Sequence, residues 1–116
     1  MKTEPTETDR EAARLFDANC RGLRVYLAGI GWCIVSTVRS HFRVEADAID
    51  TDDPATVGVM LAQVDEALDA VGCPGAYLHP WAGGWAVRRG TALRRYPGPT
   101  KGAALVAAMK ALKSAT

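Results

Sequence analysis

Residues 76–89 read Ala76-Tyr-Leu-His-Pro-Trp-Ala-Gly-Gly-Trp-Ala-Val-Arg-Arg89, which is the pattern of a β-hairpin. Two runs suited to β-strands, Ala76 to Pro80 and Trp85 to Arg89, flank the turn residues Ala82-Gly83-Gly84. Two short runs joined by a glycine-containing turn predict antiparallel pairing. The sequence therefore predicts an antiparallel sheet in the C-terminal part of the chain.

Helical patterns lie on both sides of this hairpin. Asp52-Asp53-Pro54 combines a capping Asp with Pro at the first helical position, and Gly72 predicts the end of that helix. Its apolar stripe consists of Val57, Met60, Leu61, Val64, Leu68 and Val71. Pro97-Gly98-Pro99 breaks the chain, and Thr100 is expected to cap a last helix. The residues of that helix expected to face inward are Ala104, Leu105, Ala108, Met109 and Leu112.

The N-terminal part is predicted to contain a helix and two strands. Apolar residues at steps of three and four predict a helix over about Asp9 to Ala28, with Arg21-Gly22 as a point where it can break. Trp32 to Val38 is rich in β-branched residues and predicts a strand. Alternation continues to Asp47, so we expect a hairpin turning near Arg39 to His41 rather than one long strand, because strands usually have about 5–6 residues.

These elements predict an α+β domain in the order α-β-β-α-β-β-α, with helices packed on an antiparallel sheet. Thr91 to Tyr96 is open to a further strand. The length of 116 residues, with 48% hydrophobic and 23% charged residues, fits one globular domain, which we place at residues 9–116. Residues 1–8 contain Pro5 and alternating charges, so a disordered tail is expected there.

The cysteines and the hydropathy favour a cytoplasmic protein. Cys20, Cys33 and Cys73 are odd in number and have apolar neighbours, whereas a secreted disulfide framework favours an even count. The polar N-terminus lacks the apolar stretch of a signal peptide. The longest uncharged run, Val25 to Val38, is too short to cross a membrane.

The near-neutral net charge of +1 hides a strong asymmetry along the chain. Residues 1–69 contain seven Lys/Arg and thirteen Asp/Glu, a balance of −6, whereas residues 70–116 contain seven Lys/Arg and no acidic residue, a balance of +7. The two balances sum to the net +1. Such a split suggests a partner that is recognised through charge.

An acidic cluster follows the first pair of strands. We predict a binding surface made of Glu45, Asp47, Asp50, Asp52 and Asp53. Asp52 and Asp53 also suit the N-terminus of a helix, whose dipole favours anions, so capping and solvation are the alternative. The cluster lacks the glycine and the terminal Glu of an EF-hand loop, which argues against a calcium site of that kind.

A second cluster combines arginines with aromatic residues. We predict a basic and aromatic binding surface made of Arg88, Arg89, Arg94, Arg95, Trp81 and Tyr96. Arginines beside aromatic rings can bind phosphates and stack on bases, although an acidic protein or a solvated sheet edge is also open. Alternation puts Arg88 and Arg89 on opposite faces, and Trp85 with Val87 on a face that we expect to be core.

The residue types needed for common chemistries are not suitably spaced. Metal sites use Cys and His at short spacing, which Cys20, Cys33, His41, Cys73 and His79 do not show. Nucleophilic catalysis needs Cys or Ser beside His and an orienting acid, and Cys33 with His79 or His41 is open because distant residues can meet in a fold. Cys33 nevertheless lies in an apolar strand pattern typical of core. Pro99-Thr-Lys-Gly102 opens a helix and can bind an anion, yet it lacks the P-loop pattern. We expect no catalytic residue, metal or cofactor.

Three stretches together resemble the phage ABA-sandwich domain family of small phage proteins. They are Leu27-Ala-Gly-Ile-Gly-Trp32, the helix start Thr51-Asp-Asp-Pro-Ala55, and Gly84-Trp-Ala-Val-Arg-Arg-Gly90 leading to the Ala-rich closing helix Thr100 to Leu112. The resemblance covers roughly residues 20–115. The acidic segment and the Gly-Pro-rich approach to the last helix depart from the family pattern, and the resemblance carries over no site residue.

This resemblance implies a phage or prophage origin, and with it a cytoplasmic location in the host cell. By analogy with anti-CRISPR and other counter-defence proteins, we expect a non-enzymatic inhibitor that binds a host protein or complex. The alternative is a nucleic-acid-binding accessory protein that uses the arginine cluster at 88–95. A thiol enzyme using Cys33 or Cys73 is a third hypothesis, and a dimer is open because Trp81 or a sheet edge can be exposed.

Overall fold

The computed structural model describes residues 2–36, 45–72, 75–89 and 95–114. Over these residues the fold is α+β, as predicted, with three helices and two three-stranded antiparallel sheets. The elements in chain order are α1 (Glu7–Leu15), β1 (Arg24–Leu27), β2 (Gly31–Ile34), β3 (Ala48–Ile49), α2 (Pro54–Ala70), β4 (Ala76–Trp81), β5 (Gly84–Arg89), β6 (Arg95–Gly98) and α3 (Lys101–Ser114). The described residues on each side of α2 thus form three strands, whereas the predicted order has two on each side.

The first helix is much shorter than the predicted span of Asp9 to Ala28. It begins in a capping box, in which the Thr6 hydroxyl accepts from the Asp9 backbone N–H, and it ends at Leu15. Gly22 then adopts a φ of +94°, a left-handed conformation that interrupts any helix. The apolar residues beyond it form β1 instead, because their spacing also suits a strand that pairs along its whole length with β2.

The first sheet has the strand order β2-β1-β3. β1 pairs with β2 across the turn at Ala28-Gly29-Ile30, and its other edge pairs with β3 through Val25–Ile49 and Tyr26–Ala48. The strand predicted at Trp32 to Val38 corresponds to β2, which ends at Ile34 and pairs with the preceding strand β1. Residues 37 and 38 lie outside the described part. The predicted hairpin turn at Arg39 to His41 lies outside the described residues.

The predicted helix start at Asp53-Pro54 is confirmed. The Asp53 carboxylate accepts from the Thr56 backbone N–H at 3.0 Å, and Pro54 is the first residue of α2. Thr100 likewise caps α3, since its hydroxyl accepts from the Ala103 N–H at 3.1 Å. Over the described residues, none of the helices combines the length and the apolar character that crossing a membrane requires.

The second sheet has the strand order β4-β5-β6 and contains the predicted hairpin. Trp81 pairs with Gly84 across the two-residue loop Ala82-Gly83, in which both residues have positive φ (+49° and +82°). This is the conformation that matches the twist of paired strands. The predicted strand at Thr91 to Tyr96 appears as β6, which starts only at Arg95, and residues 90–94 lie outside the described part.

Helix α3 packs against α1, α2, β5 and β6, so it connects both halves of the molecule. Small residues allow this close packing. A Cβ atom added at Gly102 would lie 2.1 Å from the backbone oxygen of Thr51, in the loop before α2. The first turn of α3 therefore rests directly on the backbone between β3 and α2.

We expect Gly102→Ala to destabilise the fold by about 1–3 kcal/mol, because the new methyl group overlaps a backbone atom that no rotamer change can move. Gly58→Ala is the matched control, since it lies within α2 and a Cβ there meets nothing within 4 Å. This control should be neutral or stabilising by up to about 1 kcal/mol. Urea unfolding of both variants measures the difference, and equal stability of the two would contradict the packing described.

Candidate functional site

The five acidic residues predicted to form one surface occupy different environments. Glu45, Asp47 and Asp52 are exposed, Asp53 is half-buried, and Asp50 is only 3% exposed. Asp53 caps α2, and Asp50 belongs to an internal network of charges. The structure thus divides the predicted acidic surface, and the helix-capping role that was the alternative is observed for Asp53.

Lys2 lies at the centre of this internal network. Its ammonium nitrogen is 2.7 Å from Asp9 Oδ2, 3.2 Å from Asp50 Oδ1 and 2.6 Å from Asp52 Oδ2. Asp50 also forms an ion pair with the guanidinium of Arg24, which lies 4.9 Å from the centre of the Trp32 ring. Lys2 belongs to residues 1–8, where a disordered tail was expected, and the structure instead places it among three carboxylates.

Asp9 is the most deeply buried carboxylate among the described residues, at 0% exposure. Its Oδ1 accepts hydrogen bonds from the Thr51 hydroxyl at 2.6 Å and the Thr51 N–H at 3.0 Å, and its Oδ2 accepts from Lys2. Burial alone would raise the pKa of Asp9, but these hydrogen bonds favour the ionised form and hold its pKa below the ordinary value. Burial would likewise lower the pKa of Lys2, yet its three carboxylate partners raise it.

A second group of residues lies on one face of the β4-β5-β6 sheet. Alternate residues of β4, namely Tyr77, His79 and Trp81, share this face. Tyr77 is the cross-strand partner of Arg88, and Arg88 is the partner of Arg95 on β6. Directly opposite residues in antiparallel strands point to the same side. We call Tyr77, His79, Trp81, Arg88 and Arg95 the basic-aromatic face.

The side chains of this face contact one another. The guanidinium carbon of Arg95 lies 4.1 Å from the centre of the Trp81 ring, a cation–π contact. The His79 ring is 6.0 Å from Trp81 and 5.9 Å from Tyr77, measured between ring centres. Tyr77 and Trp81 remain 41% and 43% exposed, so the aromatic side of the sheet is open to a ligand.

Two buried polar atoms of the basic-aromatic face have no hydrogen-bond partner among the described residues, His79 Nε2 and Arg95 Nε. His79 Nδ1 lies 3.0 Å from the Pro80 carbonyl oxygen. A carbonyl oxygen only accepts, so this contact is a hydrogen bond when Nδ1 carries the proton. Because His79 Nε2 and Arg95 Nε are both buried, the groups of this face that a ligand can reach are its exposed rings and charged ends.

The structure brings together three of the six residues predicted for the basic surface: Trp81, Arg88 and Arg95. Tyr96 does not belong to this face. It follows Arg95 on β6, so its side chain points to the opposite side, and in the core it is only 6% exposed. Arg94 and the side chain of Arg89 lie outside the described part. Trp85 and Val87 face the core side, as predicted.

Sequence reasoning did not assign Tyr77 and His79 to this face. The signal was present, because both alternate with Trp81 along the predicted strand from Ala76 to Pro80. The predicted surface followed the arginines along residues 88–96. Strand pairing instead places Tyr77 of β4 directly opposite Arg88.

The remaining candidates for chemistry are dispersed. Cys20 and Cys33 are free thiols and half-buried, while Cys73 and His41 lie outside the described residues. Within the described ranges no group of three or more His, Cys, Asp or Glu is placed to hold a metal ion. The predicted anion position at Pro99 to Gly102 borders a cleft of about 360 Å³, but the Asp52 side of that cleft disfavours an anion.

Comparisons of this chain with protein-family models, with curated proteins and with solved structures found no match. The resemblance to the phage ABA-sandwich domain, and the phage origin that it implies, therefore stay predictions. The geometry described above is the basis for the functional argument that follows.

We expect Asp9→Asn to lower the free energy of unfolding by about 3 kcal/mol at neutral pH, the low end of the ~3–5 kcal/mol for breaking a buried ion pair, because Asn keeps an acceptor for Thr51. The pKa of Asp9 is depressed in the folded state, so its contribution is present above the unfolded pKa of about 3.9 and is lost as the pH falls through the folded pKa. Acid unfolding of the variant should accordingly depend less on pH.

Chemical unfolding measured between neutral and acid pH tests this expectation. Glu66→Gln is the control, because it removes one negative charge from an exposed position on α2. If Asp9→Asn and Glu66→Gln have the same stability and the same pH profile, the Asp9 network does not stabilise the fold.

Proposed function

We propose that this protein is a non-enzymatic nucleic-acid-binding protein that contacts its ligand through the basic-aromatic face. The observation that carries the proposal is the cross-strand pair of Arg88 and Arg95, with the Arg95 guanidinium resting on the exposed Trp81. Two guanidiniums on neighbouring strands of one face suit an anionic ligand such as a phosphate.

The charge distribution supports an anionic ligand. Residues 70–116 contain seven Lys or Arg and no Asp or Glu, so the charged side chains of the β4-β5-β6 sheet and of α3 are all basic. Arginine binds phosphate oxygens in a bidentate manner, and contacts of this kind supply most of the non-specific affinity for nucleic acid.

The exposed rings favour nucleic acid over an acidic protein. Tyr77 and Trp81 are 41% and 43% exposed, and a nucleobase has a flat face that stacks on such rings, whereas a carboxylate has none. The phosphates of the same ligand suit the arginines. Both the rings and the arginines of this face thus find partners in one ligand.

The expected inhibitor of a host complex has weaker support from the geometry. That hypothesis depended on the charge split along the chain and on the lack of residues spaced for catalysis, and Asp50 and Asp53 are engaged inside the fold. Of the predicted acidic surface, Glu45 and Asp47 are exposed, and Asp52 is exposed but forms an ion pair with Lys2. Binding to a host protein is therefore the competing outcome of the test below.

We expect the protein to bind nucleic acid with an affinity that falls linearly with salt on a log–log plot. Arg88→Gln and Arg95→Gln should each reduce the slope by about 0.7–0.9, because each removes one phosphate contact. Lys110→Gln is the matched control, since it removes the same charge from α3, the helix that packs on the other side of the sheet. Lys110 forms an ion pair with Glu11.

Titrations of labelled oligonucleotides at several salt concentrations measure these slopes. The proposal fails if no binding is detected at low salt, or if the Lys110→Gln control lowers the slope as much as the two arginine variants do. A purified complex with a host protein that persists after nuclease treatment, and that Arg95→Gln does not weaken, would support the inhibitor hypothesis instead.

A further inference from the structure

The arrangement of rings on β4 indicates which form of nucleic acid fits, and this inference rests on the proposed function. Tyr77, His79 and Trp81 follow one another along a single strand, with ring centres 5.9 and 6.0 Å apart. Stacked bases in a duplex are separated by about 3.4 Å along each strand. Bases that meet successive rings of β4 must therefore be unstacked from one another.

We propose that the basic-aromatic face binds single-stranded nucleic acid, with unpaired bases stacking on Tyr77 and Trp81 and with Arg88 and Arg95 contacting the backbone. A single strand separates its bases at little cost, whereas a duplex must first be opened. Aromatic rings on an open sheet stack bases without requiring a particular sequence, because every base has a flat face.

The number of cations supports the same choice. A protein that binds a duplex through phosphates alone needs many such contacts for useful affinity. Among the described side chains, the basic-aromatic face presents two arginines on adjacent strands, and the guanidinium carbon of one of them lies 4.1 Å from the centre of the Trp81 ring. Stacking on the exposed rings then has to contribute a large share of the affinity, and a single strand makes the bases accessible for it.

Binding of fluorescein-labelled oligothymidylate and oligouridylate of about 12 nucleotides, within the ~4–16 nucleotide range of single-strand sites, tests the inference against a duplex of the same length. We expect the single strands to bind at least about tenfold more tightly than the duplex. Trp81→Leu should weaken single-strand binding by about 5- to 150-fold, the range for loss of one stacked base.

Trp81→Phe keeps a ring and should restore most of this loss, while Ile30→Ala serves as a control because Ile30 is an exposed apolar residue on the first sheet's turn. Retention of the wild-type unfolding midpoint in Trp81→Leu shows that the variant is folded. Should Trp81→Leu unfold, Tyr77→Leu with Tyr77→Phe provides the same comparison at the other exposed ring.

The outcomes separate this inference from the proposed function. Equal affinity for single strand and duplex, with no effect of removing either ring, overturns single-strand binding but leaves nucleic-acid binding through the arginines intact. If neither form binds at low salt, both proposals fail together. A preference for single strands that depends on the ring at Trp81 or Tyr77 supports the inference.

Discussion

The ionised side chain of Asp9 is the constraint on which the N-terminal half of this fold depends. It is fully buried, so its carboxylate oxygens need hydrogen-bond donors, and Lys2, Thr6 and Thr51 supply them. Those donors belong to the N-terminal segment, the start of α1 and the loop before α2. Because Gly102 lets α3 rest on the Thr51 backbone, the same point also positions the helix that packs behind the second sheet.

The two charge clusters of the sequence consequently have different roles. Part of the negative charge is used within the molecule, where Lys2 and Arg24 form ion pairs with Asp9, Asp50 and Asp52. The arginines at 88 and 95 instead lie across from each other beside exposed rings. A near-zero net charge thus coexists with a locally positive face, and the argument for an anionic ligand depends on this local arrangement rather than on the total.

Sequence patterns predicted the elements whose signals are local. Asp53-Pro54 marked the start of α2, and the Ala82-Gly83 turn marked the hairpin, because capping and turn geometry depend on adjacent residues. The prediction of a long first helix was wrong. The spacing of its apolar residues is compatible with a helix and with a paired strand, and only the partner strand decides between them. Tyr96 was assigned to the wrong face, because its face follows from its pairing with the core residue Val87, which local sequence does not specify. The position of Lys2 among three carboxylates could not be predicted from the sequence, since its contact with Asp50 joins distant parts of the chain.

The contacts of the two halves differ in sequence separation, and this difference affects folding kinetics. The Asp9–Thr51 contact closes a separation of 42 residues, whereas the rings of β4 and their partner Arg88 lie in one hairpin with a two-residue loop. Hairpins form in about 1–10 μs, and distant contacts form more slowly because a longer loop must close. Most of the basic-aromatic face therefore depends on fast, local contacts, whereas the contacts that join distant parts of the N-terminal half form more slowly.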